Sequence, residues 1–293
     1  MTPYTKGFLI TLLGVLIISP DALLIRLVSA DVWTLAFWRG LLNGFAVLLG
    51  FWLVSRGQFW PQLRALGWPG VWITLIFATG SLCFIYSITH TLVANTLFLT
   101  ATSPVFAALM SRYFLHERVT PRTWFAIAMT LAGVGVIASG SFDHGAGALD
   151  GDLAALGAAV TLAATFTIAR LSKTRSMVPA MGLAGLVSAV AVLPLASTLV
   201  VAPGDWLWIG LLGLLVSPIG FAFLTTGPRY LPAPDVSVML LLESVFGPLL
   251  VWLVLAEYPG DRTLVGGAIV LSALVLSNIL AMRARSPTPS TPT

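Results

Sequence analysis

Ten stretches of this chain are apolar over a length that spans a bilayer: residues 7–28, 33–55, 69–90, 92–113, 122–140, 152–171, 178–201, 205–226, 233–255 and 262–282. About 20 residues of helix cross about 30 Å of hydrocarbon, so each stretch reads as one span. They are dense in Leu, Val, Ala and Gly and do not alternate with period two, which excludes a β-barrel. Composition agrees: 58% of the 293 residues are hydrophobic and 9% are charged. A soluble globule cannot hide that much apolar surface. A disulfide scaffold is excluded because Cys83 is the only cysteine. The net charge of +4 does not indicate a nucleic-acid partner. Connections are short, the longest being Ser55–Trp68 and Ser141–Gly151, and neither can hold a domain. The tail Arg283–Thr293 is rich in Pro, Ser and Thr and reads as disordered.

Lys6, the apolar run after it and Val28-Ser29-Ala30 have the order of a cleaved leader. The run is too long for one and contains Asp21 and Arg26, so it is expected to remain as the first span. With a cytoplasmic N-terminus, twelve basic residues fall on the cytoplasmic side: Lys6, Arg56, Arg64, Arg112, Arg118, Arg122, Arg170, Lys173, Arg175, Arg229, Arg283 and Arg285. Arg26, Arg39 and Arg262 fall in the outer half or outside. That asymmetry places both termini in the cytoplasm. Asp31, Asp143, Asp150, Asp152, Asp205, Glu257 and Asp261 are then external. All ten Trp lie near expected helix ends, as an interfacial belt does.

Shifted by 140 residues, Trp68–Leu131 lies on Trp208–Leu271 without a gap, with 13 of 64 positions identical. Composition alone gives roughly five or six. The identities include Gly80/Gly220, Val105-Phe106/Val245-Phe246, Glu117/Glu257 and Arg122-Thr123/Arg262-Thr263; a slightly different offset sets Arg26 on Arg170. Each half holds five spans. Five is odd, so the second copy enters the membrane inverted, which is a transporter arrangement. The expected organisation is a first repeat at 1–140, an external linker at 141–151, a second repeat at 152–282 and a cytoplasmic tail at 283–293.

Several residues carry a more specific resemblance. They are Trp33–Arg39 (WTLAFWR), Tyr86, Ala94, Pro104-Val105-Phe106, Leu115-x-Glu117-Arg118 and Gly133. The second copy has Glu243-Ser244-Val245-Phe246, Leu255-Ala256-Glu257 and Gly266-Gly267, but Ser244 stands where the first copy has Pro104. In these features the chain resembles the EamA domain of the drug/metabolite transporter superfamily. The resemblance implies an all-α, ten-helix inverted-repeat bundle around a central cavity in a bacterial inner membrane. It implies a small-molecule substrate exported by alternating access, with amino acids the leading class. Vitamins, nucleotide derivatives and drug-like aromatic compounds are the alternatives. In such bundles the fifth and tenth helices provide packing or dimer surface, which leaves a homodimer open.

Asp21, in Ser19-Pro20-Asp21, is a carboxylate at membrane depth, which is costly unless paired, hydrated or protonated. Arg39 lies about as deep in the second span. Two roles stay open for them, a structural ion pair and a substrate contact, and an ion pair that opens serves both. Glu243 is the most central ionisable group. It could take a proton, hold a substrate amine or bond a neighbouring helix. Arg26 is expected to reach the outer interface, Arg229 the inner one, and His90 to be interfacial; His116 and His144 fall in loops. Tyr86, Asn95, Thr102, Ser103, Thr161, Thr165, Ser217 and Thr225 are the neutral polar candidates, Tyr86 and Asn95 foremost; Ser and Thr often bond back to their own helix. Pro20, Pro104, Pro218 and Pro248, with Gly80, Gly220 and Gly247 nearby, are candidate hinges or close-packing points. The chain has no HExxH, GxSxG or GxxxxGK[ST] and no His/Cys cluster of metal spacing. No enzyme activity, metal or cofactor is expected, and transport would draw on substrate or ion gradients.

Overall fold

The computed structural model describes residues 3–55, 57–114, 121–141, 146–171, 176–226 and 239–285. Outside it lie Leu115, His116, Glu117 and Arg118, Asp143 and His144, Lys173 and Arg175, Arg229, and the end of the tail. The side chains of Arg122, Arg170 and Thr225 also lie outside the described set. The regular elements among the described residues are all helices, without a strand. The helices are α1 (Pro3–Ile18), α2 (Asp21–Leu27), α3 (Val32–Val54), α4 (Phe59–Arg64), α5 (Gly67–His90), α6 (Val93–Thr100) and α7 (Ser103–Phe114). After them come α8 (Pro121–Ser141), α9 (Ala146–Leu171), α10 (Val178–Val192) and α11 (Asp205–Gly210). A π-helical turn at Leu211–Val216 leads into α12 (Ser217–Thr226), followed by α13 (Glu243–Leu255) and α14 (Asp261–Arg285). Six continuous or nearly continuous stretches are long and apolar enough to cross a membrane: Thr5–Leu27, Val32–Val54, Gly67–His90, Val93–Phe114, Ala148–Ala169 and Asp205–Leu224. Three shorter apolar helices join them at Trp124–Gly140, Val178–Val192 and Glu243–Leu255.

Proline sets most of the departures from uniform helices. The first expected span is two helices, because Pro20 has no N–H to continue α1 but suits the first turn of α2. Ser19 helps end α1 by donating its hydroxyl to Val15 O at 2.7 Å. The fourth span breaks at Ala101–Thr102, just before Pro104 in the first turn of α7. The expected helix at 178–201 stops at Val192, because Pro194 follows, and the chain from Leu193 is irregular up to α11. Its carbonyls are still used: Thr34 Oγ1 donates to Thr198 O, and Trp38 Nε1 donates to Leu199 O at 3.0 Å. The eighth span is α11, the π turn and α12, with the wide turn just ahead of Pro218. Of the expected 233–255 span, residues 239–255 are described; Met239 and Leu240 are helical, a turn follows at Leu241–Leu242, and α13 runs on from Glu243. α13 ends on Ala256 in the left-handed region (φ 53°), with Gly260 (φ 81°) completing the turn into α14.

The bundle exposes large apolar side chains and buries several of its few charged and amide ones within an otherwise apolar core. Leu53 (64% exposed), Val54 (80%), Trp68 (77%) and Leu253 (73%) face outward, while Asp21, Arg39, Asn95 and Asp152 are buried. Water would disfavour that arrangement and hydrocarbon favours it. The largest apolar core gathers α2, α3, α5, α6 and the π turn around Ile25, Leu35, Ile85, Ile88, Val93 and Leu212. The main helix pairs are α3 with α10, α5 with α9, α8 with α14, and α1 with α12. Two of these crossings depend on glycine. A Cβ added at Gly40 would come within 2.7 Å of Gly185 O, and one at Gly133 within 2.8 Å of Gly266 O. The missing side chains let the backbones touch.

Candidate functional site

The breaks in the helices converge on one charged cluster. Pro20 starts α2, so Asp21 lies in its first turn, 3% exposed. Arg39, 6% exposed, reaches it from the second turn of α3. Its Nη2 lies 3.1 Å from both carboxylate oxygens of Asp21. Ser217, fully buried where the π turn becomes α12, donates to Asp21 Oδ1 at 2.7 Å and sits 3.3 Å from Arg39 Nη2. Ser81 of α5 accepts from Arg39 Nη1 at 3.0 Å. Four helices thus supply one buried ion pair with two hydroxyl partners. Desolvating these charges is repaid only by close pairing, and this pair is close. Arg39 Nε is buried without a hydrogen-bond partner, and so is Asn43 Oδ1 one turn further along α3.

Glu243 opens α13 near the same cluster. One turn on, a Cβ at Gly247 would meet Leu97 and come within 3.8 Å of Ser19 O, so the start of α13 packs beside the break at Pro20. The Glu243 side chain is half-buried. Asp21, Arg39 and Ser217 are therefore brought together, with Ser81 and Asn43 added, and Glu243 opens the helix that packs beside them.

The other candidates lie elsewhere. Asn95 belongs to a second buried cluster. Its Nδ2 lies 3.2 Å from Asp152 Oδ1 and 3.2 Å from Thr91 Oγ1, and its Oδ1 accepts from Thr263 at 2.6 Å. Thr91 also donates to Asp152 at 2.8 Å. This network ties α6, α9 and α14 to the end of α5. Tyr86 lies toward that same end of α5, stacked on the exposed His90 at 3.8 Å and 6.0 Å from Trp33. Thr102 and Thr165 are buried and donate to their own helices, at Leu99 O (2.6 Å) and Thr161 O (2.8 Å). Ser103 opens α7, and Thr161 likewise bonds back to Gly157 O at 2.9 Å. Gly80 packs against Thr161, Gly220 against Ile18, and Gly247 against Leu97. Pro248 lies buried inside α13.

Arg26, partly exposed at the junction of α5 and α6, is paired there. Its Nε pairs with Glu257 at 3.1 Å, and its other nitrogens donate to Thr89 O (3.4 Å) and Thr91 O (3.1 Å). Glu257 also accepts from Val93 N at 2.9 Å. A basic and an acidic residue 231 positions apart thus finish the end of α5 and the start of α6. Asp205 serves similarly, accepting from Ser29 N (3.0 Å) and Ser29 Oγ (2.7 Å). A shallow groove of about 520 Å³ lies between Phe125 and Met129 of α8 and one face of α14, and a second of about 380 Å³ is lined by Leu271, Ser272, Val275 and Leu276 of α14; neither includes a residue of the charged cluster.

Sequence reading missed Asn43 and Ser81. The signal for Asn43 was present: an amide four residues after Arg39, hence on the same helix face, in an otherwise apolar segment. Ser81 had no comparable signal.

These features define a multi-pass α-helical membrane protein that keeps a hydrogen-bonded ion pair where its helices break. The model of the EamA-like transporter family matches twice, over residues 5–139 and 149–279, and the chain belongs to that family. Two relatives from Pseudomonas aeruginosa, strains UCBPP-PA14 and PAO1, are named pseudopaline exporter CntI. Each is 28% identical over 196 residues, covering 66% of this chain and 68% of the relative. A solved crystal structure superposes with a TM-score of 0.67 at 20% identity, covering 96% of this chain and 99% of that one, and speaks for the fold alone.

Proposed function

We propose that this protein is a secondary exporter of small zwitterionic metabolites of the amino-acid type, working by alternating access in a bacterial inner membrane. The reading takes the chain as ten spans in two inverted five-helix repeats, 1–140 and 152–282, with both termini cytoplasmic. Two kinds of support come from helix pairing. Equivalent helices pair with each other, α3 with α10 and α8 with α14. The α5–α9 pair has its counterpart in α12–α1.

The observation that carries the function is the buried Asp21–Arg39 pair, set between hydroxyls where α2 and α12 begin. Breaking a buried pair without replacement costs about 3–5 kcal/mol. A zwitterion replaces each lost contact: its carboxylate takes Arg39 and its ammonium takes Asp21 or Glu243. Charge at the site is conserved, so the exchange of partners needs no net desolvation of a bare ion. Pro20, the π turn and Pro218 leave backbone there with fewer helical hydrogen bonds to break when the helices reorient. An exporter's name on the two relatives favours the outward direction.

Counterflow in proteoliposomes tests this. Vesicles loaded with an unlabelled amino acid should transiently accumulate the same labelled compound, and Arg39→Lys should abolish the accumulation. Exchange confined to uncharged aromatic compounds would overturn the zwitterion reading.

A further inference from the structure

We infer that Asn43 is a substrate-binding residue that, with Arg39, recognises the two charged ends of an amino-acid substrate. The inference rests on the exporter reading above and adds to it a residue at the ammonium end. Arg39 and Asn43 are 6% and 9% exposed, and both keep a buried polar atom without a partner among the described residues. A buried orphan is costly and needs a reason. The two orphans have opposite character. Arg39 Nε can only donate, and Asn43 Oδ1 can only accept. They stand one helical turn apart on one face of α3, where Cβ atoms are about 5–6 Å apart.

Neighbouring positions show which face this is. Gly40 and Gly44 lie against α10, and Leu42 lies against Gly213 of the π turn. Arg39 and Asn43 point between those two contacts, into the bundle, where Ser81 and Ser217 already meet the guanidinium. A ligand that satisfies both orphans must present an acceptor to Arg39 and a donor to Asn43 a few ångströms away. A carboxylate and an ammonium on one α-carbon do so. An amine alone or an acid alone satisfies one and leaves the other buried and unpaired, which is the strongest basis for rejecting an analogue.

The experiment is counterflow with the twenty labelled L-amino acids on wild-type protein and on Asn43→Ala and Asn43→Leu. For the best-transported amino acid, its decarboxylated amine and its deaminated acid serve as competitors. The wild type should reject both analogues by about tenfold or more relative to the amino acid. In Asn43→Ala the half-saturation concentration should rise about tenfold, and rejection of the deaminated acid should largely vanish while rejection of the amine persists. Melting temperature separates binding from scaffolding. Removing an orphaned amide should leave it unchanged or raised, most clearly in Asn43→Leu, whereas a structural amide would lower it. Folded variants with wild-type saturation and analogue rejection would overturn the role of Asn43 while leaving the exporter reading intact. Exchange of other metabolites but of no amino acid would overturn both the role and the substrate class, and no exchange of anything would overturn the exporter reading with them.

Discussion

At Arg39 the guanidinium nitrogens have different fates: Nη2 meets Asp21 and Ser217, Nη1 meets Ser81, and Nε meets nothing. Loss of Asp21 would leave that cation buried and uncompensated. Asp21→Ala is therefore expected to destabilise the protein by about 3–5 kcal/mol, seen as a lower melting temperature in detergent. The double variant Asp21→Leu with Arg39→Met should recover most of that stability and none of the transport, because apolar residues of similar volume replace a buried pair at little cost. Glu243 is separable by the same logic. Gln keeps its shape but cannot titrate. If Glu243 couples proton movement to export, Glu243→Gln should lose the response to an imposed pH gradient and keep counterflow. If it holds the substrate amine, binding should weaken at every pH while the pH response of the remaining flux persists. Wild-type behaviour in both assays would remove it from the site.

At the scale of the element, the broken helices are the informative ones. Thr102 and Pro104 interrupt α6–α7 while Thr102 satisfies Leu99 O. Pro104→Ala should allow one more helical bond and stiffen the segment, slowing initial transport rates more than it weakens equilibrium substrate binding. Unchanged rates in a folded variant would leave Pro104 a packing residue. The short α2 is fastened at its far end by Arg26, whose pair with Glu257 is about one quarter exposed on one side and one fifth on the other. The ion pair itself is worth little at such exposure. The backbone groups it also satisfies, at Thr89, Thr91 and Val93, raise the stake. Reversing one charge, as in Arg26→Glu, should lower the melting temperature by a few degrees, and adding Glu257→Arg should restore little of it, because a carboxylate at position 26 cannot donate to Thr89 O and Thr91 O and a guanidinium at 257 cannot accept from Val93 N.

For the whole molecule, the test is topological. Cys83 is half-buried and is the only thiol, so a Cys83→Ala background isolates introduced cysteines. With both termini cytoplasmic, a cysteine at Gly204 should label with an impermeant maleimide from outside in intact cells. One at Gln62 should label only after the membrane is opened. Labelling of Gln62 from outside would reverse the orientation taken from the basic residues. The paired glycines Gly40/Gly185 and Gly133/Gly266 give a second test at this scale. Gly133→Leu should separate α8 from α14 and lower the yield of folded protein, because the new side chain meets backbone that cannot move aside.

Fold class was legible in the residues because solvent dictates it: long apolar runs with satisfied backbone can only be membrane helices, and their polar minority must face inward. The Asp21–Arg39 pair was legible for the same reason, since two opposite charges at similar depth each need a partner. Pro20, Pro104 and Pro218 marked the breaks, because a missing N–H acts locally whatever surrounds it. What remained hidden depends on which helices touch. Nothing in the neighbourhood of Asn95 distinguishes a tie to Asp152 and Thr263 from a substrate contact; those partners come from α9 and α14, 57 and 168 residues away. Nothing near Arg26 in the sequence pointed to its partner Glu257, which comes from the far end of the chain. That the Asn43 carbonyl lacks a partner follows from packing, although its place on the Arg39 face was legible. Hydrophobic pattern and proline act through the chain's own backbone and solvent, so sequence alone determines them. The pairing of polar groups is settled by contacts between distant segments, and only the tertiary structure decides it.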